Sequence, residues 1–195
     1  VQSAHLGIQW ILNNKEKISD PGALVVMKMI NDEYCHSPGI DKFLKEDFKK
    51  FDFHNYFPVF ERFFYNGQDY KISNKALKIL KSPPEPYNPA LSQALYCDIY
   101  PVPENFAKNV FDNLGKETGY DLTHKFWSAI ILKNNGCSVP GYDLDKIISF
   151  GAKRIAEEQD KNKQFDDLYA ERTAFLMQFG FKDMVKKEWL ENILK

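Results

Sequence analysis

The sequence predicts an all-α fold, about eleven helices packed as antiparallel hairpins. Three observations predict it. Val and Thr, the residues that favour strands, number 8 and 3, whereas Leu and Ile number 16 and 14. Apolar residues recur at steps of three and four, and few segments alternate with period two. Pro, Gly and Asn cluster at short intervals, so the helices are joined by short loops.

Taken in order, the periodicity predicts a first helix over about 4–15 and a second that follows Pro21 and runs towards Tyr34. Ser37-Pro38-Gly39 breaks the chain, and short helices fit about 40–50 and 56–65. A turn at 66–69 precedes a helix over 73–81. The stretch 82–89 carries four prolines and reads as an extended connection, too short for an interdomain linker, so residues 1–195 are expected to form one domain. Asn88-Pro89 opens a helix to about Ile99, with Asn88 as cap; Pro101 and Pro103 end it and start another that closes near Gly115.

Two later helices share an opening 22 residues apart: Gly119-Tyr120-Asp121-Leu122 and Gly141-Tyr142-Asp143-Leu144, each Asp reading as the cap of its helix. Asn134-Asn135-Gly136 stops the first of them. The last two helices fit 162–179 and 182–194.

Composition excludes several classes. Hydrophobic residues are 44% and charged residues 27%, normal for a globular chain. The net charge is −1, and only 3 of the 26 basic residues are Arg, which argues against nucleic acid as a partner. The longest apolar stretch, 23–30, is interrupted by Lys28 and too short for the ~20 residues of a membrane span. The chain is therefore expected to be soluble, either cytoplasmic or exported after removal of a leader. Cys35, Cys97 and Cys137 are odd in number and widely spaced; three free thiols is the simpler reading, one disulfide plus a free thiol the other. No phosphate-binding Gly loop, nucleophile elbow or paired Cys ligand set occurs, and no cofactor is expected.

The closing segment, Met177-Gln178-Phe179-Gly180 followed by 185–194 (Val-Lys-Lys-Glu-Trp-Leu-Glu-Asn-Ile-Leu), resembles a hairpin of the α/α-toroid, terpenoid-cyclase-like proteins. The Gln…Asp-Gly-Gly-Trp turn that often follows such a helix there is absent. The resemblance implies an open or partial α/α-toroid-like array and transfers no catalytic residue.

Candidate sites are polar residues on seams that should be apolar. In the 162–179 helix the stripe Phe165, Leu168, Phe175, Phe179 passes through Arg172; in the 89–99 helix the stripe Leu91, Ala94, Leu95 passes through Asp98. His124 shares a face with Trp127, Ser128 and Ile131. Asp98, His124 and Arg172 are thus the candidate catalytic residues, with Tyr100 and Tyr169 as candidate substrate contacts. The plainer reading makes Asp98 and Arg172 a buried ion pair and His124 a neutral imidazole near a helix start.

Asp32 and His36, four apart, could share a metal but lack a third ligand, so no metal site is expected. The 11 aromatics between Phe43 and Tyr70 step mostly as a core stripe does, and Glu157-Glu158 reads as a solvated charge pair. Two functions compete. One is a non-enzymatic helical module that binds a protein or small-molecule partner. The other is an α/α-toroid-like enzyme or enzyme fragment acting on a glycan or isoprenoid-like substrate in an interhelical cavity.

Overall fold

The computed structural model describes residues 9, 12–14, 27–28, 31, 37–47, 62, 71–81, 89–100, 102–162 and 164–193. Among them the chain is helical, with eight α-helices and no strand. It divides into two compact units, Val1–Pro84 and Glu85–Lys195. The boundary falls inside the proline-rich stretch 82–89. The expected helices over 4–15, 21–34 and 56–65 lie wholly or largely outside the described residues, as do Asp32, Cys35, His36 and all of the 43–70 aromatics except Phe43.

In the N-terminal unit, α1 spans Pro38–Asp47 and α2 spans Asn74–Lys81. Pro38 and Gly39 start α1 instead of lying in a loop before it, because a proline's missing N–H costs nothing at a helix's first position. Asn31 is buried, accepting from the Ser37 N–H at 2.7 Å and donating to Asp41 at 2.8 Å, which ties the start of α1 down. Ser73 caps α2 by accepting from the Ala76 N–H at 3.1 Å.

The C-terminal unit holds α3 (Pro89–Leu95), α4 (Glu104–Phe111), α5 (Gly119–Asn134), α6 (Leu144–Lys161), α7 (Asp167–Gln178) and α8 (Lys187–Ile193), with a 3-10 turn at Lys182–Met184. Helix α5 is its centre. It packs against α3, α6 and α7, and Leu122, Phe126 and 128–132 are all buried. A helix apolar on most sides has to be enclosed. The buried Ser128 hydroxyl is satisfied within the helix, donating to the His124 carbonyl at 2.7 Å.

The twin Gly-Tyr-Asp-Leu openings differ in the folded chain. Asp143 caps α6, accepting from the N–H groups of Asp145 and Lys146, and these bonds hold its carboxyl below the usual range. Asp121 does not cap α5: that helix begins two residues earlier with Thr118 as its cap, and Asp121 sits in its first turn. The stop at 134–136 forms as expected. Gly136 takes a φ of +69°, and the Cys137 N–H reaches back to Leu132 at 2.9 Å, closing the helix as a left-handed cap does.

Two features lock the neighbours onto α5. Asn135 donates to the carbonyls of Ala94 and Leu95, the last of α3, at 3.3 and 3.2 Å. Beside it, Cys97 and Cys137 form a disulfide with Cα atoms 6.2 Å apart. The expectation of three free thiols is therefore corrected. The spacing of 40 residues gave no sign of the pairing; the ends of α3 and α5 meet, and that contact belongs to the tertiary fold.

Close approach explains Gly151 on α6. A Cβ there would lie 2.9 Å from Cδ2 of Phe126, whose side chain is fully buried, so one of the two must shift. Helix propensity alone favours Ala over Gly by about 1 kcal/mol. Overpacking costs about 1–3 kcal/mol. Gly151→Ala is therefore expected to be neutral to destabilising by up to about 2 kcal/mol, and Gly151→Val to be clearly worse, in thermal unfolding. A rise in Tm for both would show that α5 and α6 are not in close contact here.

Candidate functional site

Asp98 and Arg172 do not form the expected buried ion pair. Helix α3 ends at Leu95, and residues 96–99 form a turn, so the stripe through Leu91, Ala94 and Leu95 stops before position 98. Asp98 is exposed on that turn, with Tyr100 half-buried just after it. The expectation that Asp98 is buried is thereby corrected. Phe165 is corrected too: it precedes α7 and is 57% exposed, and the helix buries Tyr169, Arg172, Thr173, Phe175 and Leu176 instead.

Arg172 is buried, and its partner is Glu158. Its Nη2 donates to the Glu158 carboxylate at 2.6 Å, with the two side chains only 6% and 11% exposed. The same Glu158 oxygen accepts from the Gly119 N–H at 3.1 Å, at the N-terminus of α5. One carboxylate thus answers both a guanidinium and the positive end of a helix. Glu158 is therefore not the solvated charge the sequence suggested. The stripe Ile148, Ala152, Ile155, Gln159 on α6 held the missed signal, since Glu158 borders it.

His124 is the sixth residue of α5, half-buried, with its ring 5.9 Å from that of Tyr120. Burial lowers its pKa, and Asp121 opposes the shift. Nearby, Tyr120 donates to Asp167 at 2.8 Å, and this bond with burial pushes its hydroxyl up to about 12. Thr123 donates to Glu171, whose carboxyl is raised by burial against the lowering effect of that bond. This seam ties α5 to α7 through the Tyr120 phenol on Asp167 and the Thr123 hydroxyl on Glu171.

A cleft of about 580 Å³ opens where the end of α6, the start of α7 and α8 meet. Gln159, Asp160, Asn162, Phe165, Tyr169, Glu188, Trp189 and Asn192 line it. Of the candidate substrate contacts, Tyr169 is here; its hydroxyl accepts from Asn192 at 3.2 Å. Gln159 is fully buried, and its amide N–H groups are committed to the Tyr169 carbonyl at 3.1 Å and the Thr173 hydroxyl at 3.2 Å. Its carbonyl Oε1 has no donor. At the mouth, Lys186 pairs with Asp160 and lies 5.8 Å over the Trp189 ring. The sequence hid this cleft because its walls come from three separate segments, and Gln159 reads as one more polar helix residue.

Among the described residues no three His, Cys, Asp or Glu side chains gather as metal ligands would, and no helix is long and apolar enough to cross a membrane. Comparison with known protein families, curated proteins and solved structures returns no match.

Proposed function

We propose that this chain is a non-catalytic binding module, an open array of about eleven helices of α/α-toroid-like kind, and that it takes its ligand in the cleft beside Trp189. The observation that carries this reading is the cleft itself, lined by the aromatic residues Phe165, Tyr169 and Trp189, the amides Asn162 and Asn192, and the carboxylates Asp160 and Glu188. Its volume is within the range of about 300–1,000 Å³ usual for small-molecule sites. Among the described residues its side chains supply aromatic faces, amides and carboxylates, which suit binding. The partner is a small molecule or a protein segment, and not nucleic acid. The Cys97–Cys137 bond supports an oxidising compartment, where disulfides persist.

The competing reading is an enzyme acting on a glycan or isoprenoid-like substrate. His124 favours it, since a neutral imidazole is the form a general base requires. Arg172 and Asp98 weaken it: the first is spent on Glu158 and the second sits on an exposed turn.

Nuclear magnetic resonance separates the two. A panel of small amines, sugars and carboxylic acids is titrated into the labelled protein. Binders are expected to move the Trp189 indole N–H and the side-chain amides of Asn162 and Asn192. A panel that moves none of these, or moves the His124 ring alone, rejects the cleft as the site.

A further inference from the structure

We propose that Asn135 is a deamidation site guarded by the Cys97–Cys137 disulfide, so that reduction of that bond leaves a lasting negative charge between α3 and α5. The site shares no residue with the cleft lining and stands apart from the binding reading.

Asn135 is followed by Gly136, which has no side chain to shield its nitrogen from the preceding amide. In the reaction that nitrogen attacks Cγ of Asn135. An N–Cγ bond forms, the Cγ–Nδ2 bond breaks, and the Gly136 proton leaves with Nδ2 as ammonia. Water then opens the succinimide. Breaking the new N–Cγ bond gives Asp; breaking the bond from that nitrogen to the main-chain carbon gives isoaspartate. Water is the only co-reactant.

The native turn holds both reacting groups apart. At a ψ of 2° the Gly136 nitrogen eclipses the Asn135 backbone nitrogen, whereas ring closure needs it beside Cβ. The Gly136 N–H donates to the Lys133 carbonyl at 3.0 Å. The leaving group, Nδ2, donates to the carbonyls of Ala94 and Leu95 at 3.3 and 3.2 Å. Space is not the obstacle: Gly136 is exposed, and nothing lies within 4 Å of where its Cβ would stand. Once the turn opens, the ring has room to form.

The disulfide sets how often it opens. It joins Cys137, two residues past Asn135, to Cys97, two residues past Leu95. The sulfur bridge and the amide therefore clamp the same two chain ends. A dithiol that takes the bridge to two thiols, itself becoming a disulfide, leaves the amide to hold them alone. The deamidated product cannot do so. A carboxylate only accepts, and this one faces two carbonyl oxygens, so reoxidation of the thiols does not restore the clamp.

The full chain is held in mildly alkaline buffer with and without dithiothreitol, and peptides across 134–138 are fragmented to place the acid at 135 and not at 134. A synthetic peptide of residues 132–138, its thiol alkylated, gives the rate of the unfolded sequence. The disulfide-bonded protein is expected to deamidate at Asn135 at least about tenfold more slowly than the peptide, and the reduced protein at least about tenfold faster than the bonded one. Amide hydrogen exchange on the same samples separates a local guard from unfolding, since α6 and α7 are expected to keep their protection.

Asn135→Asp installs the product with the disulfide intact. It is expected to speed exchange at the end of α3 about tenfold, the scale of the two bonds it removes. Bonded protein that deamidates as fast as the peptide, or reduced protein that deamidates no faster than the bonded form, overturns the inference. So does loss of protection through α6 and α7 in step with the acid at 135, or an Asn135→Asp chain whose α3 exchanges as the wild type does.

Discussion

Arg172→Ala is expected to destabilise the C-terminal unit by about 3–5 kcal/mol, because it leaves Glu158 as a buried charge without its counter-ion. Glu158→Ala should cost a similar amount, since it strands the guanidinium and also leaves the Gly119 N–H without its acceptor. The pair is largely hidden from water, so the discount that applies to surface ion pairs does not reduce these figures much. The double replacement Arg172→Ala with Glu158→Ala is expected to cost far less than the sum of the single losses, because both charges go together. Urea unfolding of the four proteins measures the coupling. Single losses below about 1 kcal/mol, adding without coupling, would mean that the pair is solvated and the seam between α6 and α7 is held by apolar contacts alone.

Breaking the Cys97–Cys137 bond carries the second large effect. The bond closes a loop with a separation of 40 residues. The chain-entropy relation for such a loop gives about 4 kcal/mol of stabilisation through the unfolded state. Cys97→Ser with Cys137→Ser is expected to lower the urea midpoint accordingly, and reductant should do the same to the native protein. Thiol titration of the denatured, unreduced chain should leave Cys97 and Cys137 unreactive, and digestion should recover their peptides joined. Full reactivity of both thiols in protein purified without reductant would refute the bond.

Much of the fold was legible where local chemistry decides it. Ser73, Asp143 and Gly136 act through side-chain or backbone bonds to residues two to five places away, and such ranges are readable from spacing. Arg172 was legible as a buried charge because its neighbours at steps of three and four are apolar. Its partner was not, since choosing between Asp98 and Glu158 requires knowing where α3 stops and which face α6 turns inward. The periodic stripe through Leu91 and Leu95 continues on paper past a helix that has already ended. Asp121 was misplaced for a related reason, because the same four letters open α5 at Gly119 and α6 at Leu144. The cleft lay beyond sequence reasoning altogether, as it exists only where three chain segments meet.

The disulfide also changes what a protease can do to this molecule. Helices α4 and α5 lie wholly inside the covalent ring between Cys97 and Cys137. The turn joining them exposes Asp112, Asn113, Gly115 and Lys116, the kind of surface segment where a chain is nicked. A single cut there releases no fragment: the two halves remain one covalent molecule, and α5 keeps its hold on α3 through the sulfur bridge and the Asn135 amide. Wherever a protease reaches this turn, the ring converts a severing event into a scar.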